Sequence, residues 1–258
     1  MPVTTELHIW NNALLRSCGP DTAPLLFCVP GFACSGADYL PLFATSLSQR
    51  YRCMAVDLPG FAASPALAQP VTIDALADWL RACIEAQAQA QPVIVLAHSL
   101  GSVIAVEALH GLALDVALIS IEGNLLDIDG YSSGRAIGFD DAAAFKQSFI
   151  ERLWRQAQDH ALQRRLYASA LQSDANTLWR LGCEAVTVGE DDAFGQRMLA
   201  LSCPKLYCWS SATTPGPTAA WVQSSDLPAH QYRAATHWPM LEAVPELKDI
   251  IDHFSSQR

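Results

Sequence analysis

The chain has 258 residues, 51% of them hydrophobic and 16% charged, a balance that fills one sizeable core and excludes a disordered or fibrous polypeptide. Lys and Arg number 16 against 26 Asp and Glu, a formal net charge of −10, so there is no global positive field for nucleic acid or an anionic membrane. The opening MPVTTELHIW has no basic region leading into an apolar one, and no uninterrupted apolar run of about eighteen residues follows, so the expectation is a cytoplasmic protein with neither signal peptide nor membrane span.

In chain order, ELHIW and ALLRSC read as two short strands joined by Asn11 and Asn12, whose tolerance of positive φ suits a hairpin. The continuously apolar Pro24 to Val29 predicts a strand buried on both faces, ending where Pro30 and Gly31 turn the chain. A helix from Asp38 to Gln49 follows, then a buried strand Cys53 to Val56 ending in Asp57. From Thr72 to Ala90 the apolar positions Ile73, Leu76, Ala77, Leu80, Cys83 and Ile84 keep helical spacing, with Thr72 placed to cap and Asp74 in the first turn. Pro92 to Ala97 is another buried strand, leading through HSLGS into a helix from Leu100 to Leu112, and Val116 to Glu122 is the next strand.

Alternating strands and helices with continuously apolar strands predict an α/β protein: a mostly parallel central sheet flanked by helices, with its chemistry beyond the strand C-termini. Residues 124–200 interrupt the alternation with helical patterns such as FKQSFIERLWRQA. They read as a helical cap inserted after strand 6, on a core made of residues 1–123 and 201–258. Pro204 to Trp209 resumes the sheet, and a strand near His230 to Arg233, a loop holding His237 and a helix from Met240 to Phe254 close the chain. The eight cysteines include no C-x-x-C pair and the seven histidines show no ligand spacing. They are therefore read as small thiols, mostly buried, and no metal site is expected.

The segment VIVLAHSLGS carries the chemistry. Ser99 stands at a strand-to-helix bend whose neighbours Ala97 and Gly101 are small, as a backbone folding back on itself requires. With Pro30-Gly31-Phe32 ending an earlier strand and His237 ahead of the last helix, the chain resembles the α/β-hydrolase superfamily, in its serine-nucleophile branch with a helical cap. Ala97 replaces the usual first Gly of the elbow, and Pro30 the usual His before Gly31. The resemblance implies Ser99 as nucleophile, His237 as base, and the backbone N–H groups of Phe32 and Leu100 as oxyanion donors. It also implies no cofactor. His98, beside the nucleophile, is given a packing or hydrogen-bonding role.

The acid is less direct. Most relatives place an Asp after the strand equivalent to PKLYCW, where this chain reads SSATTPGPT; some carry it at the tip of the preceding strand, where this chain has Glu122. Glu122 is the first choice, with Asp226 or a bare Ser–His pair as alternatives. Asp57, Gly60 and Ser64 resemble the family's D-x-x-G-x-G-x-S loop, a turn motif rather than a catalytic one.

Phe149, Trp154 and Trp238 are named as substrate contacts, because an opening under an aromatic cap is apolar. The implied function is a serine hydrolase acting through an acyl-enzyme on an ester, thioester or related acyl bond of a partly hydrophobic small molecule. A carrier-protein thioesterase or C–C bond hydrolase is the enzymatic alternative, and a non-catalytic binding protein on the same fold the other. Residues 146–180 hold Lys146, Arg152, Arg155, Arg164, Arg165 and Arg180 against three acids. That face either docks an acidic acyl carrier protein or is a solvated surface with Glu151–Arg155 and Arg155–Asp159 pairs.

Overall fold

Residues 4–187, 193–233 and 236–258 are described in a computed structural model of the chain. Strands β1 (Glu6–Trp10) and β2 (Ala13–Cys18) form a hairpin, with Asn11 and Asn12 at φ 44° and 66° in its turn. The remaining strands are β3 (Leu25–Val29), β4 (Arg52–Val56), β5 (Val93–His98), β6 (Val116–Ile121), β7 (Lys205–Trp209) and β8 (Ala229–Gln231). They join one sheet in the order β1-β2-β4-β3-β5-β6-β7-β8, parallel from β4 to β8 and antiparallel at β1–β2 and β2–β4.

Every residue of β3, β4, β5 and β6 is buried, which explains why their sequences are apolar apart from Arg52, His98 and Ser120. Alternate side chains point to opposite faces. Leu25, Phe27, Val93, Val95 and Ala97 join one core cluster, while Leu26, Cys28, Ile94 and Leu96 join the other.

The predicted helix from Asp38 to Gln49 is instead a 3₁₀ turn at Gly36–Tyr39 followed by α1 (Leu40–Phe43) and α2 (Leu47–Arg50). Thr45 lies at the break: its hydroxyl donates to Leu42 O at 2.7 Å and accepts from Leu47 N at 3.3 Å, a local alternative to the helical ladder. Helix α3 (Ile73–Ala88) starts at the Thr72 cap and stops at Gln89, which has φ 48°. Helix α4 (Leu100–Leu109) follows β5 directly.

Between β6 and β7 the chain makes two 3₁₀ turns, Asp127–Gly130 and Ser133–Gly138, and then α5 (Ala142–Ala157), α6 (Ala161–Gln172), α7 (Ala175–Thr187) and α8 (Ala193–Ala200). This insertion is tied to the rest of the chain. Asp174 N donates to Gly60 O at 2.8 Å, Ala62 N to Ser173 Oγ at 3.1 Å and Ile73 N to Glu184 Oε2 at 2.9 Å, while Arg165 pairs with Asp38 at 3.2 Å.

Helix α9 (Gly216–Ser224) connects β7 to β8. The single closing helix expected from Met240 to Phe254 is split into α10 (Pro239–Glu242) and α11 (Val244–Ser256). Pro245 lacks the N–H that a continuous helix needs, and its ring conflicts with the carbonyl four residues earlier. All eight cysteines are free thiols, six of them buried. Among the described residues no helix is long and apolar enough to cross a membrane.

Candidate active site

Ser99 joins β5 to α4 with φ 52° and ψ −131°, a conformation that L residues rarely adopt. The surroundings enforce it. Ser99 N donates to Ile121 O on β6 at 3.0 Å, and Ser102 N bonds back to Ser99 O at 2.8 Å. A Cβ on Gly101 would stand 2.3 Å from Pro30 O, and one on Gly31 would stand 2.9 Å from Ser99 Cβ. Those two glycines therefore let the loop after β3 lie directly against the elbow. The Ser99 side chain makes no capping bond to its own helix, so the hydroxyl remains available to the cavity it lines.

Leu100 is the first residue of α4, where an N–H has no intrahelical partner and the helix dipole favours negative charge. Phe32 follows Gly31 and lines the same cavity as Ser99. Neither N–H meets an acceptor among the described residues. Two unpaired donors beside a hydroxyl are what a developing oxyanion requires.

Glu122 directly follows β6 at φ 44°, with its side chain only 3% exposed. A carboxylate this deep needs donors, and it has three. His237 Nδ1 lies 2.5 Å from Oε2, while the hydroxyls of Thr213 and Tyr232 donate to Oε1 at 2.5 and 2.7 Å. Burial and the charge of Glu122 push the Tyr232 phenol well above its ordinary range, so it stays a donor. An ionised carboxylate only accepts, so Nδ1 of His237 carries the proton and Nε2 is left with its lone pair. His237 lines the Ser99 cavity together with Trp238, whose ring meets the imidazole edge-on at 5.6 Å between centroids.

His98 supports the same loop. Its Nε2 is 2.7 Å from His237 O, and since a carbonyl can only accept, Nε2 is protonated. Full burial, then the neighbouring His237, hold its pKa well below the usual value, so the ring is neutral. Cys34 also lines the cavity, but burial pushes its thiol up to about 12, which removes it as a rival nucleophile at neutral pH.

The remaining predicted positions separate clearly. Asp226 is exposed and precedes β8, at the end of the parallel sheet opposite Ser99, and so cannot reach His237. Asp57 is fully buried and binds Arg16 at 2.8 and 3.1 Å, Ser35 Oγ at 2.8 Å and Gly36 N at 2.7 Å, which makes it a junction between three loops and strands. Phe149 and Trp238 line the cavity, which has a volume of about 190 Å³. Trp154 does not: it is 54% exposed and packs on Tyr167 at 5.2 Å. It lies one residue beyond the face of α5 that turns inward through Phe149, Leu153 and Gln156.

Of the six cations in residues 146–180, four bond within the described residues, Arg152 among them through Ser132 Oγ at 3.2 Å. Lys146 donates to Leu171 O and Ser173 O, Arg164 to Ala157 O and Gln158 O, and Arg165 to Asp38. Neither Glu151–Arg155 nor Arg155–Asp159 forms an ion pair; Glu151 accepts from Gln147 instead. Sequence reasoning missed Thr213 and Tyr232, and it read Arg152 as part of an outer basic face whereas the residue lines the cavity beside Phe149. Thr213 lies in the very loop noted for lacking an acid. A hydroxyl there carries no signal until its acceptor is known.

A model of the alpha/beta hydrolase family matches residues 26–249. No curated protein matches the chain at a significant level. Among solved structures, the chain is similar to a single-site mutant of the N-acyl homoserine lactonase AidH in complex with N-hexanoyl homoserine, with 16% identity, a TM-score of 0.75 and 99% of this chain and 97% of that one covered. A carboxylesterase structure from Nitrososphaera gargenis gives 15%, 0.73, 97% and 98%. A haloalkane dehalogenase loop variant from Bradyrhizobium elkanii gives 17%, 0.71, 99% and 98%. At such identities these likenesses speak for the fold alone, and the family match over most of the chain supplies the rest: the protein belongs to the alpha/beta hydrolase family.

Proposed function

We propose that the protein is a serine hydrolase that cleaves an ester, thioester or related acyl bond through Ser99, His237 and Glu122. The observation that carries this reading is the bond from His237 Nδ1 to the buried Glu122 at 2.5 Å, in a cavity that also presents Ser99 at a strained strand-to-helix bend. In this reading Ser99 Oγ attacks the acyl carbon while His237 Nε2 takes the hydroxyl proton. The N–H groups of Phe32 and Leu100 hold the oxyanion. Collapse of the tetrahedral intermediate breaks the bond to the leaving oxygen or sulfur, which departs with the proton from His237. Water, deprotonated by the same imidazole, then attacks the acyl-enzyme, releasing the acid and restoring Ser99.

Glu122 keeps the imidazole in the correct tautomer and stabilises the imidazolium that forms. Residues 124–200 act as the cap that shapes the acyl site, with Phe149 and Trp238 as walls. A panel of p-nitrophenyl esters of graded chain length, together with small acyl thioesters, tests the reading. Turnover by the wild type and a fall of about 10⁴-fold or more in Ser99→Ala is the expected result. A folded wild type that turns over none of them leaves the binding-protein reading in its place.

A further inference from the structure

The inward face of α5 carries one charge. Phe145, Phe149, Arg152, Leu153 and Gln156 recur at spacings of three and four, and all are buried or lie on cavity walls. An arginine within such a stripe is the informative residue. Arg152 lines the 190 Å³ cavity of Ser99 and also an adjoining, mostly apolar groove of about 630 Å³; Tyr131 and Phe149 share that dividing position. Its guanidinium lies 5.1 Å from the Phe149 ring centroid, and Nη2 donates to Ser132 Oγ at 3.2 Å.

No carboxylate lies within ion-pair reach of Arg152 among the described residues. Burial, then the charge of Arg135, weakens its hold on its proton, with Tyr131 acting in the opposite direction. Even so, a guanidinium remains charged in proteins. Asp129 lines the Ser99 cavity as well, but its Oδ2 accepts from Leu125 N and Leu126 N and its Oδ1 from the Thr218 hydroxyl. Those donors already occupy both of its oxygens. What is left, among the described residues, is a half-buried cation with four uncommitted donor hydrogens on the wall of the cavity that Ser99 lines. Such a group is costly without an anion and selective with one.

We propose that Arg152 determines specificity, and that the substrates are esters or thioesters whose acyl part carries a free carboxylate, held by this guanidinium. The planar fork of arginine matches a carboxylate through two parallel hydrogen bonds, and the apolar groove beside it takes aliphatic or aryl parts of the same molecule. This inference rests on the hydrolase reading for its chemistry but not for its binding test.

The experiment compares p-nitrophenyl hydrogen adipate with p-nitrophenyl hexanoate, equal in acyl carbon number, by kcat/KM in the wild type, Arg152→Gln and Arg152→Lys. It also measures Kd for both esters in Ser99→Ala and in Ser99→Ala with Arg152→Gln. The wild type is expected to favour the acid ester by about 10- to 100-fold, mainly through KM. Arg152→Gln brings that ratio close to one, and Arg152→Lys keeps part of it. In Ser99→Ala the acid ester binds more tightly than the neutral one, and the added Arg152→Gln erases the difference. A wild type that prefers the neutral ester, or a preference that survives Arg152→Gln in both readouts, overturns the proposal. Arginine-dependent binding without any turnover supports it while removing the hydrolase reading.

Discussion

Glu122 shows how one residue's role depends on its neighbours. Three donors from three separate segments converge on its carboxylate, and one of them is the imidazole proposed as base. Glu122→Gln keeps the shape but offers an amide that can donate where only acceptance fits, which favours the wrong imidazole tautomer. Turnover of a p-nitrophenyl ester by this variant is expected to fall by about 10²- to 10⁴-fold with the fold retained. Near-normal turnover with an unchanged melting curve refutes the role given to Glu122. At this scale the sequence pointed to the groups proposed to react and was silent about their supports: Ser99 and His237 are flagged by their position after strands, whereas Thr213 and Tyr232 are ordinary loop and strand-end residues until the fold brings them to Glu122. Trp154 failed for the same reason in reverse, because one step along a helix is a rotation of about 100° and turns a wall residue outward.

At the scale of elements, the elbow depends on two backbones approaching more closely than a side chain allows. Gly101→Ala would place a methyl 2.3 Å from Pro30 O, against backbone that cannot swing aside. The expected cost is about 1–3 kcal/mol, read as a fall in Tm and accompanied by loss of turnover as the Ser99 bend shifts. An unchanged Tm and rate would show that the loop after β3 yields freely.

Asp57 offers a contrast, since it stabilises the same loops without touching the cavity. Asp57→Ala leaves Arg16, 12% exposed, without its carboxylate, and a denaturant titration is expected to show a loss of about 3–5 kcal/mol. A loss below 1 kcal/mol would mean that solvent reaches Arg16 in the folded state. Strands β3 to β6 were legible because burial on both faces writes a continuous apolar run. The helices that came out broken were not, since Thr45 and Pro245 act through local hydrogen bonding and ring sterics that an apolar rhythm does not register.

Over the whole molecule, alternation of strands and helices was enough to read the parallel sheet, its helical faces and the place of Ser99 beyond a strand C-terminus. The packing of the inserted helices on the loop after β4, through Asp174, Ser173 and Glu184, was beyond reach, because those contacts join residues more than a hundred positions apart.

Global stability carries one signature of the site. His98 is neutral in the folded state, with its pKa held down by burial, so below about pH 6.5 the unfolded chain binds a proton that the folded chain refuses. Stability is therefore expected to fall with decreasing pH in that range, with a contribution approaching about 1.4 kcal/mol per pH unit from this one group. Denaturation at pH 7.5 and 5.5, compared with His98→Gln, measures it; an identical pH slope in both proteins would assign the acid sensitivity elsewhere.

Mass spectrometry after treatment with a fluorophosphonate tests the central claim most directly, because the reagent needs an activated serine and nothing of the substrate. The account predicts a single adduct on the peptide containing Ser99, absent in Ser99→Ala and formed at least about 10³-fold more slowly in His237→Ala. A folded wild-type protein that stays unlabelled, or that is labelled at another serine, contradicts it.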